Sequence, residues 1–149
     1  MCFSYITERL QPLKEFSGRV LSPIVLLIAR LLVANDFWKS GNIKLGYIVD
    51  GKADTLYFLF EDYHVPLLPV KVAAWMGMMG EVGFSAMLGL GLLGRFGALG
   101  LIFMSAVIYH ADNNELAPFW AAICAIIVVQ GSGKYSLDHL LFRSKRKTS

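Results

Sequence analysis

The sequence predicts an all-α protein: a four-helix transmembrane bundle with an amphipathic N-terminal helix and a short interfacial C-terminal helix. Three observations carry that prediction. Apolar residues make up 56% of the 149 and charged residues only 17%, where a soluble domain carries about a quarter charged. The mean hydropathy is positive, at +0.54. The apolar residues gather in long stretches separated by polar or glycine-rich connections, and one stretch holds a carboxylate at its centre. The formal net charge of +3 arises from Lys and Arg in the tails and loops, a pattern of membrane topology and not of nucleic-acid binding.

Residues 1–19 alternate charges with Phe3, Ile6, Leu10, Leu13 and Phe16, which fall on one helical face and suit a helix lying among lipid headgroups. The segment is expected to be retained, because Arg30 interrupts the apolar run that follows and no small-x-small cleavage site comes after it. Val20 to Trp38 is the expected first span, with Arg30 inside it and Asn35 and Asp36 at its far end. At about 1.5 Å per residue it reaches roughly 28 Å, enough to cross a hydrocarbon core. Lys39 to Val65 reads as a long polar connection with a turn at Asp50-Gly51. Within it Tyr57, Phe58, Phe60 and Tyr63, beside Glu61, Asp62 and His64, suit an aromatic layer at the membrane surface. Pro66 and Pro69 fit the first turn of the next helix.

The second span, Val70 to Leu93, is the stretch with the carboxylate. Ala73, Gly77, Glu81, Ser85 and Gly89 recur every fourth residue and form one stripe of small and polar side chains. Glu81 is therefore expected to face protein, since a carboxylate in hydrocarbon costs roughly 2.5 kcal/mol or more. A glycine-rich return through Gly94-Arg95 leads to a third span, about Phe96 to Tyr109, which meets water at His110, Asp112, Asn113, Asn114 and Glu115. The fourth runs from about Leu116 to Val129. After Gln130, Gly131 stops the helix, and a short amphipathic helix capped by Ser136, with Asp138 in its first turn, leads to a basic tail. The chain thus divides into an interfacial segment 1–19, a four-span unit 20–141 and a tail 142–149. Four spans put both termini on one side with Arg9, Lys14, Arg19, Arg95, Lys134 and the tail, against Lys39, Lys44, Lys52 and Lys71 on the other. That asymmetry predicts a multi-pass inner-membrane protein with both termini in the cytoplasm.

Counted along these spans, Arg30 and Glu81 lie at nearly the same depth. An intramembrane Arg30–Glu81 ion pair would explain how each is tolerated. Such a pair either pins two helices together or lines a cleft for a small redox-active ligand; a quinone fits, because its carbonyl oxygens need donors on reduction. His110, at a helix end near the outer surface, is a further candidate for proton exchange. No metal site is expected: His64, His110, Asp112 and Glu115 lack ligand spacing, and Met76, Met78 and Met79 surround their helix. Cys2 and Cys124 form no CxxC pair, which removes thiol-relay chemistry. Gly131-Ser132-Gly133-Lys134 follows a helix and lacks the spacing of a phosphate loop.

Several of these pieces, taken together and in order, resemble the DoxX family of small bacterial membrane proteins. They are Phe37-Trp38-Lys39-Ser40-Gly41 with Lys44, then Glu81, then Leu92-Leu93-Gly94-Arg95, and finally Gly131-Ser132-Gly133-Lys134-Tyr135-Ser136-Leu137-Asp138, with Ser132 where the family often has proline. The resemblance spans about Val20 to Leu141 and implies a four-helix inner-membrane protein. Some members are described as subunits of thiosulfate:quinone oxidoreductase or related complexes, and many have no assigned activity. The positions it points to are Arg30, Lys44, Glu81, Arg95, Tyr135 and Asp138. Two functional readings follow. In one, the chain is the membrane subunit of a quinone-linked redox complex, holding no covalent cofactor and depending on a soluble or membrane redox partner, because it carries no haem, flavin or iron–sulfur motif. In the other it is a non-catalytic anchor, chaperone or small-solute carrier. Both leave homo-oligomerisation open, and both make the lipid bilayer its first partner.

Overall fold

Helix α1 begins at Ser22 and does not stop at Trp38 but continues to Val49. The structure, a computed structural model, describes residues 22–63, 68–138 and 140; the N-terminal segment, His64 and the basic tail lie outside the described residues. The reason for the longer helix is visible in its buried face. Arg30, Val33, Ala34, Phe37, Gly41 and Lys44 are all buried, at the three-and-four spacing of one helical stripe. The interior stripe therefore runs straight through the polar-looking stretch after Trp38, and no helix stop intervenes before Asp50-Gly51. There the expected turn is present: Gly51 N–H donates to Ile48 O at 3.1 Å and Lys52 N–H to Tyr47 O at 2.7 Å, a Schellman-type ending.

The remainder of the expected polar connection is also helical. Helix α2, Ala53–Asp62, buries Leu56 and Phe60 against Ala73, Ala74 and Met78 of α3. Helix α3, Val70–Leu90, turns the predicted small-residue stripe inward, with Ala73, Gly77, Glu81 and Ser85 buried and Trp75, Met76 and Met79 exposed. Helices α4, Gly94–Asp112, and α5, Ala117–Gln130, match the third and fourth expected stretches to within a few residues. The all-α expectation thus holds among the described residues, with five helices.

Helix α1 packs on α3, α3 on α4 and α4 on α5, while α5 returns to α1 and α2 lies against α3 and α1. The shared core comprises Val33, Ala34, Phe37, Leu88, Ala98, Leu101, Met104, Cys124 and Ile127. Phe37 meets Trp120 edge-on at 5.2 Å, and the Trp120 indole donates to Asp36 at 3.3 Å, closing α5 onto α1. Large apolar side chains also point outward, among them Leu32, Met79, Phe103, Phe119 and Val129, while Arg30, Glu81, Ser85 and Ser105 are inside. In water this distribution would be unfavourable; in lipid it is the stable one. Among the described residues α4 is the one helix both long and apolar enough to cross a membrane by itself, and α5 is apolar but shorter.

Candidate functional site

Helices α1 and α3 approach closely at Gly41, where a Cβ would come within 2.7 Å of Val82 Cγ2 and 3.1 Å of Glu81 Cβ. Glycine lets the two backbones meet here, and the next turn of α1 then carries Lys44 to Glu81. The Lys44 ammonium donates to Glu81 Oε1, lies 3.4 Å from Ser40 Oγ and stands 5.7 Å from the centre of the Phe60 ring. Both side chains are buried, Glu81 almost completely at 1% exposure. Paired charges recover part of the cost of leaving water, and the aromatic face adds to the cation's stabilisation. Glu81 Oε2, by contrast, makes no hydrogen bond.

Lys44 and Glu81 form part of the wall of a cavity of about 510 Å³ bounded by α1, α2, α3 and α4. The rest of the wall is largely apolar, including Phe60, Phe84, Met104 and Ile108. Its rim includes Met76, Met79 and Phe103, which are exposed at 60, 63 and 68%, so it opens sideways through the apolar surface. This size and lining suit a small organic ligand, with one polar locus to orient it. Tyr63, at the C-terminus of α2, adds a phenol to the wall and packs edge-on against Phe60 at 5.4 Å. Burial pushes its pKa above the ordinary 10.0, and Asp112, Glu81 and Asp62 act in the same direction, so it remains a neutral phenol.

The expected Arg30–Glu81 ion pair does not form. Arg30 instead donates to Ser132 O at 2.8 Å and Tyr135 O at 2.9 Å, holding the segment that follows α5. It lies beside Gly91, where α3 ends: a Cβ on Gly91 would collide with its guanidinium and come within 2.7 Å of Ser136 Cβ. Gly91 also has a left-handed φ of 67°, so both space and backbone call for glycine. Counting depth from Val20 placed Arg30 level with Glu81, whereas it sits at the level of Gly91, about 15 Å away along α3 at about 1.5 Å per residue. Arg30 does not line the cavity, and its Nε is left without a partner. His110 is exposed, stacked edge-on against Tyr109 at 5.9 Å, and is likewise absent from the cavity wall.

Asp138 lies in the first turn after Ser136 as expected, and Leu140 N–H donates to Ser136 O at 3.2 Å. Its carboxylate, however, reaches across to the start of α4, accepting from Leu93 N–H at 2.8 Å, Gly94 N–H at 3.1 Å and Ser132 Oγ at 3.2 Å. It thus satisfies helix-start donors that no neighbouring side chain reaches. Arg30 and Asp138 together tie the Gly131-to-Asp138 segment to α1 and to the α3–α4 turn. Sequence reasoning missed Lys44 as the partner of Glu81. The available signal was Phe37, Gly41 and Lys44 at spacings of four and three, continuing the buried stripe of α1. Among the described residues no group of three His, Cys, Asp or Glu side chains is placed to hold a metal ion.

An uncharacterized protein of Haemophilus influenzae is 28% identical over 134 residues, which is 80% of this chain and 85% of the relative. No solved structure matches. The DoxX family model matches residues 25–114, a stretch that holds the whole cavity wall. By that match, which covers more than half of its length, the chain belongs to the DoxX family, and its outward apolar side chains are those of a membrane protein.

Proposed function

We propose that this chain is the membrane subunit of a quinone-linked redox complex of the bacterial inner membrane, binding a lipid-soluble quinone beside Lys44 and Glu81. The observation that carries this reading is a buried ion pair on the wall of a largely apolar cavity whose rim opens sideways through the apolar surface. An apolar ring enters such a cavity from lipid without crossing water, and the charged locus orients its oxygens. In this reading α1, α3, α4 and α5 cross the bilayer with both termini inside. At about 1.5 Å per residue α1 spans roughly 42 Å, longer than a hydrocarbon core of about 30 Å, so Lys44 lies toward the outer interface, where a lysine is best tolerated. A partner protein supplies the redox centre, because the sequence has no haem, flavin or iron–sulfur motif. A thiosulfate:quinone oxidoreductase is the first such complex to test.

The test is purification of the full chain in mild detergent, followed by identification of co-eluting isoprenoid quinones and proteins. Quinone-linked electron transfer is then measured in membranes carrying wild-type, Glu81→Gln or Lys44→Met protein at matched levels. Co-purified quinone, and activity lost at matched protein levels, are expected. A protein that carries no quinone and takes up none when it is supplied overturns the reading and leaves a non-catalytic anchor.

A further inference from the structure

The geometry points to the reduced, hydroxyl-bearing form of the ligand as the one this cavity selects: we infer that a hydroquinone donates an O–H to Glu81 and binds more tightly than the corresponding quinone. The inference rests on the reading of the cavity as a quinone site and adds to it the oxidation state of the occupant. Its basis is an imbalance of donors and acceptors. Glu81 is 1% exposed, yet only Oε1 has a partner, and Oε2 makes no hydrogen bond. A buried carboxylate oxygen without a donor is costly, and the cost is recovered by whatever supplies one. The nearest cation is already engaged, since the Lys44 ammonium serves Glu81 Oε1, lies near Ser40 Oγ and faces the Phe60 ring.

A quinone carbonyl offers only acceptors: it can take the O–H of the Tyr63 phenol but supplies no donor to Glu81 Oε2. A hydroquinone hydroxyl reverses this. It donates to Glu81 Oε2 and still accepts, so it also accommodates the Tyr63 phenol on the same wall. The remaining wall, including Phe60, Phe84, Met104 and Ile108, receives the ring equally in either oxidation state. Discrimination therefore falls on Glu81.

The experiment uses the full-length protein in detergent and three probes of nearly equal shape: tetramethylhydroquinone kept reduced, tetramethylbenzoquinone, and the hydroquinone's dimethyl ether, which has no O–H. Affinities are read by equilibrium dialysis. The hydroquinone should bind about tenfold or more tightly than either other probe, the factor expected for one hydrogen bond to a charged group. In Glu81→Gln the ratio of hydroquinone to quinone affinity should collapse toward one. Equal affinity for hydroquinone and quinone, or for hydroquinone and ether, overturns the inference and leaves the quinone-site reading intact. Binding of none of the probes overturns both. If Glu81→Gln does not accumulate, the three-probe comparison on wild-type protein still decides.

Discussion

Replacing Lys44 by Met removes the counter-charge of Glu81 and leaves the shape of the side chain nearly unchanged. In the native protein Glu81 has one satisfied oxygen and one that is not. In Lys44→Met both are unsatisfied, at a position 1% exposed. Breaking a buried ion pair from one side costs about 3–5 kcal/mol, most of it the penalty of the stranded charge and not the value of the pair. The second half of the cycle tests that statement: Lys44→Met/Glu81→Met removes both charges and should recover most of the loss. Unfolding by SDS titration in mixed micelles reads both variants on one scale. A Lys44→Met protein within about 1 kcal/mol of wild type, or a double variant no more stable than the single one, would mean that the pair is solvated. The buried site would then be refuted.

Three further outcomes follow from Arg30, Asp138 and Tyr63. Arg30→Met removes two hydrogen bonds to Ser132 O and Tyr135 O; at about 1.5–3 kcal/mol for a charged hydrogen bond, it should release the segment 131–138, seen as new proteolysis there. Arg30→Lys should not restore protection, because one ammonium does not span the two carbonyls as the guanidinium fork does. Asp138→Ala uncaps the start of α4, where Leu93 already holds a left-handed φ of 49°, and should cost about 1–2 kcal/mol with faster hydrogen exchange at the Leu93 and Gly94 amides; Asp138→Asn should retain much of the cap. Tyr63 has a raised pKa, so its neutral form is the one the fold favours. The stability it contributes is whole below the ordinary 10.0 and is lost as pH rises through the folded value. Phenolate absorbance should show one late-titrating tyrosine, absent in Tyr63→Phe.

Most of the fold was legible because its signals are local. The four-residue stripe from Ala73 to Ser85 predicted which face of α3 is buried, and the glycine-rich returns placed the ends of α3 and α5. Where the reading failed, it failed at polar residues inside a helix. Ser40, Asn42 and Lys44 look like the end of a span, and only their position relative to Phe37 and Gly41 shows that the interior face continues. The choice of partner for Glu81 is a matter of register between α1 and α3, which depends on where each helix starts relative to the other. An error of about ten residues in that register moved Arg30 from the level of Gly91 to that of Glu81. Asp138 was placed in the right turn, but its service to α4 is a contact across 44 residues from Gly94, and no local pattern encodes it.

The two buried cations therefore have different roles, and their surroundings say which is which. Arg30 sits where a Cβ on Gly91 has no room, its terminal nitrogens are bonded to backbone carbonyls, and it does not line the cavity. Its unpartnered Nε is thus not part of that wall, and the residue acts on the fold by fixing the segment after α5. Lys44 and Glu81 border open volume, and the unpartnered Oε2 belongs to a residue of that wall. Leaving such an oxygen unsatisfied costs about 1–3 kcal/mol, a cost an apolar pair of the same volume would avoid. On the proposed reading, a carboxylate kept under that penalty beside a ligand-sized space is explained by what it meets on binding, not by what it does for the fold.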